Sequence, residues 1–491
     1  MKKSLLFLSA ALLSVSAFAE GYQVNNLSAK QTGMAHVGTA MKLGSESIFF
    51  NPAATAFQES KFDISAQMTG ISASAAYRTL PTVENGYQSD LTELSDNKLS
   101  TPMSVYFNYK PIERLAVGVG FFTPNGSSMN WGNDWSGAHL IQSINLSAYT
   151  IQPTISFKIC DRLSVGAGLM ITWGKFDLSR SLLSPATRQG LITGMIDPKI
   201  AQIQAAINSG MLPADQQAQM QGTLAALQGG KQYLESTMDQ SIVSATLAGK
   251  SGVAIGVNAG IFWDVTDQWS LAMSYRSRMN MKVDKGHTTM HIDPTAATLI
   301  GQLGALMGGG SLLPPLDQAT FNAELPLPTV VTWAVSFRPT PKWEFAADLQ
   351  WTGWSAYKEL NVGFNEEELG IDDINSVKNY SNTLAFRLGG QFHATKFLTA
   401  RAGLYVDESP VDSNWLNPET PSMTKVAYTA GLSLRPTKFM SVDLAYCFVS
   451  TADPERTGSY PIYEGDVVTS IFSGNYKLHA HVFSVGLGFH F

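Results

Sequence analysis

Over most of the chain apolar and polar residues take turns. Leu163, Val165, Ala167, Leu169, Ile171 and Trp173 share one parity, and Ser164, Gly166, Gly168 and Thr172 share the other. Val253, Ile255, Val257, Ala259, Ile261 and Trp263 alternate with Ala254, Gly256, Asn258 and Gly260. Trp343, Phe345, Ala347, Leu349 and Trp351 alternate with Glu344, Asp348, Gln350 and Thr352, and the chain ends with Phe483, Val485, Leu487, Phe489 and Phe491 set against Ser484, Gly486, Gly488 and His490. A period of two marks a β-strand with unlike faces.

Six short segments between such runs resemble one another: 110–115, 158–163, 264–269, 338–343, 393–397 and 435–439. Each is a tight polar turn followed by a large apolar residue, the form of the short periplasmic turns of a barrel. Six turns join twelve strands; one more strand must leave the N-terminal segment and one must end at Phe491, which makes fourteen, with both termini in the periplasm. The connections on the other side are long: 80–98, 124–141, 181–240, 290–318, 355–377, 408–421 and 453–469. Two of them, 181–240 and 290–318, carry helical signals. Asp197-Pro198 and Asp293-Pro294 read as helix starts, and Ile200, Ile203 and Ile207, then Leu299, Ile300, Leu303, Leu306 and Met307, follow at helical spacing. Those apolar positions either pack on each other or form a greasy groove where a hydrophobic ligand first lands.

Composition narrows the setting. Charged residues make up 15% of the 491, against about 25% in soluble domains. Residues 1–19 have the form of a secretory signal peptide: Lys2 and Lys3, an apolar core too short to span a bilayer, then Ala17-Phe18-Ala19. No apolar run of 18 residues follows it. An exported chain with few charges and no membrane helix is a soluble periplasmic protein or a membrane barrel, and the alternation selects the barrel. The polar faces collect charges of both signs, Arg276, Arg278, Glu344, Asp348, Arg387, Arg401 and Asp443, as an enclosed polar lumen allows. The aromatic end at Phe491 is an address for outer-membrane insertion by the barrel-assembly machinery.

Other chemistry finds little support. Net charge is −6 with no basic tract, so nucleic acid is not an expected partner. Cys160 and Cys447 are the two cysteines, no Cys/His cluster has metal spacing, and no Gly-x-Ser-x-Gly elbow marks a lipase. We therefore expect no catalytic residue, no metal and no cofactor.

Residues 21–57 fit neither period. Gly21, Gly33, Gly38 and Gly44 interrupt them and Asn51-Pro52 marks a turn, yet Tyr22, Val24, Leu27, Met34, Val37, Met41, Ile48, Phe49 and Phe50 are too apolar for a solvated linker. Such a segment has to be enclosed, here as a plug in the lumen. The expected architecture is an all-β membrane protein: a signal peptide (1–19), an N-terminal hatch (20–57) and a 14-stranded antiparallel transmembrane β-barrel (58–491) with short helices in the outer loops.

Nearly the whole mature chain resembles the FadL family of outer-membrane transporters for long-chain fatty acids and other hydrophobic compounds. The matching elements are Gly21-Tyr22-Gln23-Val24-Asn25, the hatch motif Asn51-Pro52-Ala53, Asn145-Leu146-Ser147-Ala148-Tyr149, residues 256–261, Tyr275-Arg276-Ser277, and Asp407-Glu408-Ser409-Pro410-Val411. The resemblance implies a Gram-negative outer-membrane location, a monomer, contact with outer-membrane lipid and lipopolysaccharide, and ligand passage sideways through a gap in the barrel wall. It places Tyr22 at the ligand end of the hatch and aligns Lys175 with a cation that holds the head group. Strict alternation from Leu163 puts Lys175 on the lipid-facing parity, so it needs a bulge to turn inward; Arg180 is its rival. A second family cation aligns near Asn361, with Lys358 three residues away. Phe49 and Phe50 either line the pocket or fill the lumen. The expected function is passive uptake of hydrophobic compounds, long-chain fatty acids foremost; an uptake channel for uncharged aromatic hydrocarbons and a non-transporting structural or adhesive barrel stand beside it.

Overall fold

The computed structural model describes residues 21–80, 83–84, 87–88, 91–306, 313, 315–366, 371, 373–464 and 467–491. The leader reading on 1–19 falls outside them. Fourteen strands form the ring: β1 (Phe62–Thr79), β2 (Met103–Ile112), β3 (Leu115–Asn130), β4 (Ser143–Cys160), β5 (Leu163–Ser181), β6 (Ala254–Asp264), β7 (Trp269–Arg276), β8 (Val330–Thr340), β9 (Trp343–Thr352), β10 (Thr383–His393), β11 (Leu398–Asp407), β12 (Lys425–Thr437), β13 (Met440–Thr451) and β14 (Val467–His490). Each pairs antiparallel with the next, and β14 closes on β1 from Asp63↔His490 to Thr79↔Gly474. Closure leaves no edge, the condition for a sheet in lipid. All six short turns read from the sequence join ring strands at one end of the barrel.

Alternation decides what faces where. Leu169, Val257, Ile261, Trp263, Phe345, Leu349, Val485 and Leu487 stand on the outer surface, while Ser164, Thr172, Asn258, Asp348 and Ser484 are buried inside. No described helix is long and apolar enough to cross a membrane; the strands cross it.

At the outer end the wall continues in a second tier, Val243–Lys250, Met279–Ile292, Thr320–Leu327, Glu359–Phe364 and Ile374–Val377. Breaks at 251–253, 277–278 and 328–329 separate tier from ring and switch the inward parity from even to odd: Arg276 points in below its break, Met279 and Met281 above it. Arg278 falls in the break and is exposed, so it does not join the lumen charges as the alternation suggested. Strand β3 also outruns its expected end, continuing past Pro124 to Asn130. The last outer loop is a hairpin in which Arg456–Glu464 pairs with β14.

Residues 21–57 lie inside the ring as short helical turns, α1 (Ala29–Thr32) and α2 (Ser47–Phe50) among them, nearly all buried. Polar bonds moor them to the wall. Lys30 Nζ, paired at 2.8 Å with Glu46 of the hatch itself, comes within 3.9 Å of Asp443 on β13, and Lys42 Nζ reaches Asp264 on β6 at 2.5 Å. Asn51 caps the turn that follows it, accepting from the Ala53 amide at 3.1 Å, and donates to the Thr39 carbonyl at 2.8 Å and the Ile261 carbonyl at 3.3 Å. The Ala53 carbonyl accepts from Ser164 at 2.8 Å. A Cβ on Gly166 would stand 2.6 Å from the Ala53 nitrogen, so this glycine lets the Asn51-Pro52-Ala53 turn lie directly on β5.

Candidate functional site

The lumen changes character along its length. Inward positions near the short-turn end are polar: Asp63 and Ser65 on β1, Thr154 and Ser156 on β4, Ser441 and Asp443 on β13. Further out the same faces turn apolar: Ile71, Ala73 and Ala75; Leu146 and Ile144; Ala445, Cys447 and Val449; and on β14 Leu478, Ala480 and Val482. The hatch fills the polar half. Its upper surface, Tyr22, Leu27, Ile48, Phe49 and Phe50, joins the apolar half in one continuous cluster that includes Phe122, Trp131, Trp135, Met170, Met279, Phe321, Trp354 and Tyr380.

Tyr22 is the tip of the hatch. Its hydroxyl donates to the Pro326 carbonyl, and its ring meets Trp354 edge-on at 4.8 Å and Tyr357 at 5.6 Å. Gly21 turns the chain with φ +63°, and a Cβ there would lie 2.6 Å from the Trp354 ring. The next residues become part of the wall. The Val24 amide donates to the Pro124 carbonyl and the Gly126 amide to the Tyr22 carbonyl, both at 2.8 Å, so Gln23 pairs with Asn125 as a strand would.

That pairing marks a seam. Strands β2 and β3 are laddered only from Ser104↔Phe122 down to the turn. Pro124 has no N–H to give, and the β3–β4 register slips between Phe122 and Asn125. Above Phe122 the free edge of β3 is taken by the hatch. Higher still, the Asp96 amide donates to the Asn130 carbonyl and the Asn130 amide to Asn97, both at 2.8 Å, closing the wall again. Segments 98–102 and 124–129 are thus not laddered to each other, and residues 22–24 pair with the 124–126 side of the gap.

The candidate ligand residues divide. Phe49 is 4.9 Å from both Phe50 and Phe122, the Arg276 guanidinium lies 4.2 Å above its ring, and it borders a small cavity of about 30 Å³ beside Gln23, Pro124 and Asn125. Lys175 stays on the outward parity: β5 runs unbroken from Leu163 to Ser181, the bulge it needed is absent, and the side chain is exposed opposite Lys250. Lys358 and Asn361 are exposed as well. Arg180 points inward at the outer mouth, half-buried, and makes no hydrogen bond or ion pair among the described residues; Glu419, the carboxylate whose field reaches it, is held by Lys378 at 2.5 Å.

Leu299 and Leu303 are buried, with Ile300 packed beside them, in a separate cluster formed by the outer helices α3 (Pro185–Leu191), α4 (Asp197–Asn208), α5 (Ala214–Ser236) and α6 (Pro294–Leu306). The side chain of Leu306, and all of Met307, lie outside the described residues. Asp293 caps α6 as expected, accepting from the Thr295 and Ala296 amides at 2.8 and 3.2 Å. Asp197 instead takes Lys231 at 2.6 Å, because a helical turn already precedes it. Sequence reasoning missed Lys378, Trp131 and Trp135, which lie in loops where no period points to them; aromatic density between 131 and 135 was the available signal.

A family profile described as "Outer membrane protein transport protein (OMPP1/FadL/TodX)" matches residues 10–491. The long-chain fatty acid transport protein of Escherichia coli O6:H1 is 24% identical over 490 residues, covering 97% of this chain and 98% of that protein. Outer membrane protein P1 of Haemophilus influenzae is 22% identical, with 100% of each chain covered. Among solved structures, a Pseudomonas aeruginosa FadL homologue superposes with a TM-score of 0.70 at 19% identity, over 96% of this chain and 100% of that one. The Pseudomonas putida toluene transporter TodX gives 0.62 at 16% identity, over 96% and 100%. The chain therefore belongs to the OMPP1/FadL/TodX family of outer-membrane transport proteins, and its barrel sits in the outer membrane.

Proposed function

We propose that the protein takes up hydrophobic compounds passively, long-chain fatty acids foremost. The ligand enters at the outer mouth, binds in the apolar half of the lumen and leaves sideways through the seam between β2 and β3. The observation that carries this reading is the change of lumen polarity at the hatch. A tail buried in the outer half gains roughly 0.8 kcal/mol per methylene. Continuing straight down, it would meet Asp63, Asp348, Arg387, Arg401 and Asp443, all buried and already engaged with the hatch or with one another, and would strip them of partners. Sideways it meets three hatch residues and then lipid. Flux follows the gradient set by consumption inside. Family membership favours transport over catalysis. The E. coli relative's name favours fatty acids, and Arg180 is the group we assign to the carboxylate.

A second reading, uptake of uncharged aromatic hydrocarbons, is favoured by the outward placement of Lys175 and Lys358, which leaves Arg180 as the single candidate of the three inside the barrel. A monomer in contact with lipopolysaccharide, inserted through the Phe491 strand, fits either reading. The deciding experiment is mass spectrometry of small molecules extracted from the purified protein, then binding of labelled oleate and toluene to wild type, Lys175→Ala and Arg180→Ala. Co-purified fatty acid, with oleate weakened about 10- to 100-fold by Arg180→Ala and unchanged by Lys175→Ala, supports the first reading. Saturable toluene binding without oleate binding supports the second. Binding of neither would leave a non-transporting barrel.

A further inference from the structure

Two openings face outward among the described outer loops, and they differ in chemistry. One, of about 400 Å³, lies between α5 and α6 against Gly229, Gly230, Thr295, Thr298 and Gln302, with Tyr233 bonded to Asp293 at 2.7 Å beside it. Its one large aliphatic side chain, Leu299, is folded down onto Gly230, where a Cβ would stand 2.2 Å away. Less apolar surface is exposed there than in the second opening.

The other opening, of about 500 Å³, lies under segment 131–142, between the start of α3 and residues 238–241. Leu91, Trp135, Ala138, Leu183, Pro185 and Met238 give it an apolar wall. Its frame is tied at several points. Trp135 donates to the Ile141 carbonyl at 2.6 Å and stacks on Trp131 at 4.7 Å. Asp134 accepts from the Ser241 amide at 2.8 Å. Arg188, buried, gives its guanidinium to the Leu183, Thr237 and Gln240 carbonyls.

The charges in this wall are spoken for or negative. Glu93 accepts from the Ser136 amide at 2.8 Å and from its hydroxyl, Asp134 is bonded as above, Asp239 is exposed, and Arg188 is saturated by carbonyls. A carboxylate would meet three like charges in this wall, and the unpaired cation nearby, Arg180, is not part of the lining. His139 is different. It lines the cavity, its Nδ1 is enclosed without a partner, its Nε2 is the ring nitrogen left accessible, and its ring rests 5.9 Å from Phe472 in the aromatic cluster that leads into the lumen. A neutral imidazole so placed asks for one hydrogen bond from whatever fills the cavity.

We propose that this cavity, rather than the groove between α5 and α6, is where ligand first docks, and that it takes a neutral amphiphile with one hydrogen-bonding head, such as an alkylphenol, a long-chain alcohol or a protonated fatty acid, set against His139. This rests on the uptake reading above and specifies where and in what form the ligand is admitted.

The test uses full-length protein in detergent, with heat-modifiable gel mobility to confirm folding, and 4-octylphenol and octylbenzene as probes. Met238→Trp fills the cavity and Thr298→Trp fills the helix groove. The proposal expects Met238→Trp to slow association of octylphenol roughly tenfold and Thr298→Trp to leave it within about twofold. The reverse pattern, or no effect of Met238→Trp, overturns it. His139→Leu keeps the bulk without the hydrogen bond: octylphenol should weaken about fivefold and octylbenzene stay unchanged. Equal losses for both probes would reduce His139 to packing and overturn its assigned role. If wild type binds neither probe nor oleate, the uptake reading itself fails; if it binds them and ignores Met238→Trp, only the docking cavity fails.

Discussion

The ring of Tyr22 stands edge-on to Trp354, centroids 4.8 Å apart and planes at 86°, at the point where the hatch becomes part of the barrel wall. Two residues later the hatch occupies the free edge of β3, so this pair fixes the register of the segment that closes the seam. Removing a buried aromatic of this kind costs about 3–5 kcal/mol, and here the cost falls on the closed state of the hatch. Trp354→Ala should leave the barrel folded, speed amide exchange at Val24 and Gly126, and raise uptake of a hydrophobic dye by whole cells. Exchange at those two amides as slow as in wild type would show that the seam is held by other contacts.

Lys378 is fully buried at the outer mouth and paired with Glu419 at 2.5 Å. Breaking such a pair strands a charge in a dry site and costs about 3–5 kcal/mol, whereas replacing both partners together is far milder. Lys378→Met should therefore lower the thermal unfolding temperature more than the double variant Lys378→Met/Glu419→Leu. Equal losses in the two would mean that solvent reaches the pair and that the outer mouth is more open than its packing indicates.

Much of this was legible in the alternation, and the reason is physical. A strand between lipid and lumen has one chemistry on each face, so strand number, the six short turns and the inward polar residues could be read position by position. The hatch could be read by elimination, since residues 21–57 are apolar without a period. What escaped were features set by breaks in the pattern. The parity switch at 277–278 moved Arg278 to the surface, while the absence of any break in β5 kept Lys175 outside. Pro124 reads locally as a strand end; it interrupts β3 without ending it, because hatch residue Gln23 supplies the missing neighbour from about a hundred residues away. Lys378 with Glu419, and Arg180 left without a bonded partner, depend on loop folding that no local spacing encodes.

Burial, and secondarily the nearby Arg180, hold the His139 imidazole below its ordinary pKa. The sign follows from proton counts. Below pH of about 6.5 the unfolded chain takes up a proton at this position that the folded chain resists, so stability contributed here is complete above that pH and drains away as pH falls. The unfolding temperature of wild type should drop more between pH 8 and pH 5 than that of His139→Gln, which cannot titrate. Parallel curves for the two proteins would mean that His139 is solvated and free to protonate, contrary to its packing.

The hatch raises the question of what holds the barrel up. Every ring strand pairs with ring neighbours along its lower half, and β14 closes on β1 over 17 consecutive partners without help from residues 21–57. The hatch contributes interior polar bonds, Lys42 to Asp264 and the Thr39 amide to Asp348 among them, which water can replace in an opened lumen. Deleting 21–57 while keeping residues 1–20 should therefore yield an inserted, heat-modifiable barrel. Its polar lower half would fill with water and conduct ions in planar bilayers, while the wild-type protein, plugged, would not. Selective uptake of hydrophobic compounds should fall at the same time, because a tail entering the apolar half would face water below instead of a seam beside it. Recovery of only unfolded protein would show that the hatch is the core on which the strands assemble, and would transfer the folding role from the ladder to the residues within it.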